Sequence, residues 1–542
     1  MNNYFSRLYL VLLFALSCSW AKGANGIDSE LEYNTICDTA RLAISDIVDE
    51  SVIPNNQVWY TANKKVEPRV KSAFGATYLT NEWDEITGKG VITFDGDVVG
   101  VGVSAFQGCH SLREVTLPSS VKMVGQRAFL SCVRLTSIVI PDGVQSIGYD
   151  AFSGCEGLLN VVIPQSVISI GETAFQNCNH LESIVLPGSI QIIGDGVFVG
   201  CSRLKSVELP DGLETIPANF FSGCESLVSV DIPDGVTEIG YDAFEYCTSL
   251  ESVVMPLNVA LIGDYAFQYC KALRSVTLNS TLTTIGRDVF CGCVSLESVN
   301  IPQSVTSLGY NVFGGCVNLG RFTGQYATDD GRALVRDGEI IAYANASGEE
   351  YVIPETVTIV GENAFAGCDN LSYVGVHEGV TSIGDCAFLG CKGISSIHIP
   401  NGVIYVGYSA FENCAQLEYV TIPEGVTVIG LSMFSGCSNL LNVVIPNSVT
   451  KICNDAFREC VALQSVELPK ALETIEDRVF MGCKTLSKIC FRGGNPPSFG
   501  NQVFSGGADE VVVYVPSAEA VKRYREISAL SDAVDVILEY DM

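Results

Sequence analysis

The sequence predicts an α/β solenoid, and three observations carry that prediction. First, sixteen cysteines share one 23-residue spacing. Cys109, Cys132, Cys155, Cys178, Cys201, Cys224, Cys247, Cys270, Cys293 and Cys316 form one run, and Cys368, Cys391, Cys414, Cys437, Cys460 and Cys483 form a second. A fixed period of this size marks stacked units, none of which buries its apolar face alone. Second, Phe stands three residues before each of these cysteines, from Phe106 and Phe129 to Phe480. An aliphatic residue stands eight before, and Leu three after except at Ile394. Third, each unit carries a strand signal, a turn signal and then a compact Ala-Phe-x-x-Cys segment.

Within one unit, such as Cys109 to Ser131, the stretch Leu112 to Pro118 alternates as a short strand with its aliphatics inward. Pro then ends it, because Pro gives no donor to a ladder. Pro-Asp-Gly at Pro141-Asp142-Gly143, Pro210-Asp211-Gly212 and Pro233-Asp234-Gly235 is turn chemistry. A second short extended piece follows and ends in Gly seven residues before the cysteine. Pro217, Cys453 and Glu476 are the departures. Gly there permits a backbone conformation or a close approach that a side chain blocks. The Ala-Phe-x-x-Cys segment reads as a tight helical turn that lays Phe and Cys into the core. Stacked, these turns make a Phe spine beside a Cys ladder, and each buried Phe contributes roughly 1.5–3 kcal/mol of transfer free energy.

The unit from Val420 to Leu440, VTIPEGVTVIGLSMFSGCSNL, resembles the consensus of the BspA-like bacterial leucine-rich repeats. The resemblance covers about residues 89 to 542. It implies a leucine-rich repeat right-handed superhelix, with a parallel sheet on one face and short helical turns on the other. It also implies exported or cell-surface proteins that act in adhesion and host interaction, with no shared catalytic residues.

The organisation follows in chain order. Residues 1–23 read as a secretory signal peptide: Arg7, then an apolar core from Leu8 to Leu16, then small residues around Ser19-Trp20-Ala21. Ala15-Leu16-Ser17-Cys18 offers the alternative of a lipid anchor at Cys18. No later stretch is long and apolar enough to span a membrane. Residues 24–88 form an N-terminal cap region, with mixed helical character at Ser29 to Glu50 and strands from Trp59 to Leu79. Residues 89–316 are the first repeat block, opened by a truncated unit. Residues 317–350 are a hairpin-type insertion, with two apolar runs around Asp337-Gly338. Residues 351–490 are the second block. Residues 491–542 are a C-terminal cap, closed by a strand and by a helix with Ser517 as its N-cap.

Composition narrows function. The net charge is −30, from 31 basic and 61 acidic residues. Such acidity argues against nucleic acid and anionic membranes, both of which need basic patches. The 22 cysteines suggest disulfides in an exported chain. However, ladder cysteines on neighbouring units point the same way, which disfavours the bridging dihedral. Small buried thiols that pack are the better reading. Cys291 and Cys293 are too close for the usual metal or redox pair. The four histidines, His110, His180, His377 and His398, share no ligand set at matching register. No catalytic motif, metal site or cofactor is predicted.

What remains is surface. Residues flanking the inward strand position point outward. Ser dominates the first row, as at Ser137, Ser183, Ser206, Ser229, Ser252, Ser275 and Ser298, and the second row carries Val139, Val162 and Val185. An exposed apolar stripe rimmed by polar residues marks an interface. Tyr373, His398 and Tyr419 project from three successive strands. Tyr241, Tyr246, Tyr265 and Tyr269 fall in two adjacent units near the turns, and Tyr supplies large contact area with one polar tip. The sequence therefore predicts a non-enzymatic exported protein of a bacterial envelope that binds a host or matrix protein. A surface glycan bound through the tyrosines is the first alternative, and a scaffold with no ligand of its own is the second.

Overall fold

In a computed structural model, the chain is described over residues 53–508, 510–527, 530 and 536–539. The expected signal peptide, Cys18 and the helical stretch expected at Ser29–Glu50 lie outside the described residues.

The repeats form a β-solenoid of stacked coils, with two parallel ladders per coil. The first is built from short strands such as Ser137–Val139, which pairs with Asn160–Val162 in register, Ser137 opposite Asn160 and Val139 opposite Val162. The second is built from the Ile-Gly pieces, such as Ser146–Ile147 pairing with Ser169–Ile170. The close approach at the glycines is what this second ladder needs. A Cβ on Gly171 would sit 2.5 Å from the Tyr149 nitrogen and 2.7 Å from the Gly148 carbonyl carbon.

The face expected to be helical is not. Ala-Phe-x-x-Cys is a turn, and the helix named among the described residues, Ala518–Arg525, belongs to the C-terminal cap. Two residues per turn sit in the left-handed region, five and one before the cysteine: Arg127 at φ 56° and Ser131 at φ 59°, or Asp150 at φ 55° and Gly154 at φ 69°. A right-handed helix does not tolerate such alternation. Its consequence is a third set of hydrogen bonds between coils. The amides of Arg127, Phe129 and Ser131 donate to Tyr149, Ala151 and Ser153 of the next coil, while those of Ala128, Leu130 and Cys132 close local bonds three residues back. Every second amide thus ties one coil to the next, where a helix would direct it to its own turn.

Inside, the Phe rings of neighbouring coils stack face to face, save the tilted Phe221–Phe244 pair, with centroid separations from 5.0 Å at Phe244–Phe267 to 6.0 Å at Phe175–Phe198. Phe504 extends the stack beyond Phe480 at 5.7 Å. The ladder cysteines are free, and their thiols do more than fill space. Cys132 Sγ donates to the Phe106 carbonyl at 3.1 Å and Cys155 Sγ to Phe129 at 3.2 Å, a pattern that continues to Cys483 and Phe457 at 3.1 Å. Apart from Cys109, which reaches the Glu67 carbonyl of the cap, and Cys368 beside the insertion, each thiol links its coil to the preceding one.

The ends are closed. Strand Gln57–Ala62 runs antiparallel between Lys89–Phe94 and Leu112–Thr116, and brings Phe74 and Phe94 against Phe106 and the first coils. At the other end, the Ser517 side chain caps helix Ala518–Arg525 by accepting from the Ala520 amide. Tyr524 is the buried residue of that helix's last turn, with its hydroxyl donating to the Gly493 carbonyl at 3.0 Å. Between the blocks, Ala333–Arg336 and Glu339–Tyr343 form an antiparallel hairpin across Asp337 and Gly338, both at positive φ as the two-residue turn requires.

Candidate interaction faces

The sheet face is built by the first ladder. Along it one side chain in two points outward, so Val139, Val162 and Val185 stand exposed at 60%, 71% and 51% while Ile138, Val161 and Ile184 between the rows are buried. Ser183, Ser206, Ser252, Ser275 and Ser298 each open a strand in the row beside the valines. Beside the three valines this row holds Ser137, Asn160 and Ser183. Glu208 ends the apolar row after Val185, in register with it.

Tyr373, His398 and Tyr419 share this face and are all exposed. They do not form one row. Tyr419 pairs with Ser396, the residue equivalent to Tyr373, whereas His398 lies opposite Thr421 in the other row. The His398 ring reaches Glu378, Nε2 to Oε1 at 3.3 Å, a partner that the sequence reading missed. His180 and His377 turn toward backbone carbonyls, Nδ1 of His180 at 2.7 Å from Glu156 and Nε2 of His377 at 3.0 Å from Pro354.

The turn face brings the other four tyrosines together in two pairs. Tyr246 stacks on Tyr269 at 4.9 Å, and Tyr241 meets Tyr265 edge-on at 5.5 Å. Tyr246, Tyr265 and Tyr269 hold left-handed backbone positions at φ 56°, 59° and 58°. Arg287 and Tyr310 join the group, and sequence reasoning missed both. The Arg287 guanidinium lies 4.8 Å from the Tyr265 ring centre and 3.1 Å from Asp264, and donates to the Tyr310 hydroxyl at 2.9 Å. The signal was present: Tyr241, Asp264, Arg287 and Tyr310 are themselves one period apart. Asp242 and Glu245 lie among the rings. Burial pushes the Asp242 carboxyl up to about 6, with Glu245 and then Asp264 adding to it, and burial raises Glu245 as well.

The thiols are poor nucleophiles. Burial pushes Cys155 and Cys483 up to about 12, so the reactive thiolate is scarce near neutral pH. Among the described residues, no group of three or more His, Cys, Asp and Glu side chains is placed to hold a metal ion, and no helix is long and apolar enough to cross a membrane.

The family whose sequence profile matches is described as BspA type leucine rich repeat region (6 copies), over residues 90–205, 191–320, 340–462 and 432–517. Among solved structures, the chain is similar to a leucine rich cell surface protein from Faecalibacterium prausnitzii A2-165, at 29% identity over 60% of this chain and 83% of that one, with a TM-score of 0.47. It is also similar to a leucine-rich repeat protein from Bacteroides ovatus ATCC 8483, at 26% identity over 85% and 90% of the two chains, with a TM-score of 0.33. No curated protein matches.

Proposed function

The chain belongs to the BspA-type leucine-rich repeat family, and from that premise we propose that it is a non-enzymatic protein of the bacterial cell surface or exterior that binds a partner protein through its sheet face. The observation that carries this reading is the row of Val139, Val162 and Val185. These valines are apolar, consecutive and more than half exposed, and they are held flat by a ladder whose register permits no retreat into the core. An exposed apolar row beside a low Ser row gives a partner backbone or side chain a close approach without side-chain ordering. Tyr373, His398 and Tyr419 add larger anchors farther along the same face. The partner proposed is a host or matrix protein, the class that the resemblance to this family implies.

The test is binding of the purified native chain to immobilised matrix and host-surface proteins, repeated with the triple variant V139E/V162E/V185E. These side chains are exposed, so circular dichroism should be unchanged. Affinity for the partner is expected to fall by about 2 kcal/mol or more, as when hot-spot contacts are lost. Absence of binding to any such protein at micromolar concentration overturns the reading in favour of a scaffold.

A further inference from the structure

We propose that the tyrosine face made by Tyr241, Tyr246, Tyr265 and Tyr269, together with Asp242 and Glu245, receives a basic side chain, lysine or arginine, presented by a partner protein. This site lies on the turn face, away from the sheet, and stands whether or not the sheet face binds.

The repeat supplies its own control. Asp150, Asp242, Asp288 and Asp455 occupy the same position in four coils, five residues before the cysteine, and each is 8% exposed. Three of them are met by donors. Asp150 accepts from Thr173 at 2.7 Å and faces Arg127 at 3.3 Å. Asp288 accepts from Asn311 at 2.5 Å. Asp455 takes both arms of Arg478, at 2.9 and 2.6 Å. At Asp242 the residue one coil on, which elsewhere supplies the donor, is Tyr265, and the hydrogen bond it does receive comes from the neutral hydroxyl of Tyr241. Among the described residues, neither Asp242 nor Glu245 is ion-paired. Glu245 accepts one neutral bond, from Ser222 at 3.3 Å. A buried carboxylate without a cation is costly; Asp242 is buried and Glu245 beside it is half-buried.

One coil further on, the molecule shows what such a site accepts. The Arg287 guanidinium lies over Tyr265 and pairs with Asp264. That is a ring face and a carboxylate meeting one cation. The Tyr246–Tyr269 stack, with Glu245 near Tyr269, repeats the aromatic and acidic parts without the cation. Tyr241 and Tyr246 are open to solvent, so the rings are reachable. Tyr246 and Tyr269 hold positions where the neighbouring coils place Gly223, Gly292 and Gly315, so two bulky side chains are kept where the backbone favours none. A neutral saccharide would stack on the same rings but brings no charge to the two carboxylates. The net charge of −30 also draws basic partners at long range.

The test uses the full chain at low ionic strength, with calorimetric titration of three probes: a glycine-spaced tetralysine peptide, its fully acetylated counterpart, and a neutral cello-oligosaccharide. The variants are D242N, Y246G/Y269G and, as an equal-charge control on an exposed turn, D211N. Y246G/Y269G installs the residue that the next coils already carry, so the fold is retained, and thermal melting checks this. The lysine peptide is expected to bind and its acetylated form is not. D242N and Y246G/Y269G should each weaken binding about tenfold, the scale of a desolvated cation–π contact, while D211N changes it by less than about twofold. Equal binding by all variants would reduce the effect to the general field of an acidic protein and overturn the proposal. So would an absence of peptide binding, or displacement of the peptide by the oligosaccharide.

Discussion

An ordinary junction between coils and the junction at residues 317–350 solve the same problem with different chemistry. Between ordinary coils, Phe stacks on Phe, a thiol reaches back to the preceding Phe carbonyl, and alternate amides cross from coil to coil, so every contact is renewed at each period. At the insertion, Phe313 meets Phe322 edge-on at 5.2 Å, and on the far side Phe365 meets Tyr343 at 5.1 Å. Cys368 donates to the Asn345 side chain in place of a Phe carbonyl. Arg332 fills the seam, bonded to the Tyr343 hydroxyl at 2.7 Å and to Ser347 at 3.2 Å, with its guanidinium 5.1 Å from the Tyr351 ring centre. The buried side chains divide there into two cores. In a quasi-one-dimensional protein, coupling passes only between neighbours, so a weaker neighbour contact separates two cooperative units.

The most severe way to probe this contrast is inside a regular stretch. Phe244→Ala removes a fully buried ring stacked on Phe267 and adjacent to Phe221. Its expected cost is about 3–5 kcal/mol, as for other large core truncations. Hydrogen exchange should show loss of protection in the coils around Phe244 and unchanged protection beyond the insertion. Uniform loss through both blocks would mean that the seam transmits as well as a regular junction.

A smaller change should act at the seam itself. Arg332→Ala removes hydrogen bonds to Tyr343 and Ser347 and leaves the buried Tyr351 hydroxyl, which has no partner, in an even less polar setting. A loss of about 1.5–3 kcal/mol is expected, the range for hydrogen bonds to charged groups. Thermal melting should separate into two transitions. A single sharp transition in the variant would show that the two cores unfold together regardless of Arg332.

The smallest effect expected is a pH dependence on the turn face. Asp242 is held protonated more readily in the folded chain than in the unfolded one, because burial and Glu245 raise it to about 6. Its contribution to stability is therefore full below the ordinary aspartate range and is lost as pH rises through about 6. Asp242→Asn should raise the melting temperature at pH 7.5, and the gain should disappear near pH 4. A gain that is the same at both values would remove the carboxylate as its cause. At the seam, which lacks such a carboxylate in the equivalent role, no matching dependence is expected.

Much of this was legible in the residues. The period of the cysteines revealed the stacking, and Phe three residues before them revealed the spine, because a core repeated along one axis must repeat its side chains. The outward positions of Val139, Val162 and Val185 followed from strand alternation. The turn face was misread because Phe and Cys three residues apart also fit one helical turn. The correcting signal lay on either side of them. Gly, Asn, Asp and Ser recur five and one residues before the cysteine, and these residues suit left-handed backbone. The thiol-to-carbonyl bonds were not legible, since they depend on how the preceding coil turns its Phe carbonyl. That Asp242 is met by the Tyr241 hydroxyl and by no cation emerged only when four copies of one position were compared in space.

The central claim, that the sheet face is the working surface, is tested most directly by hydroxyl-radical footprinting of the native chain, free and saturated with the partner protein found by binding. Val139, Val162, Tyr373, His398 and Tyr419, all exposed in the free chain, are expected to lose reactivity in the complex, together with neighbours on the same ladder. Full reactivity of these side chains in the saturated complex would contradict it.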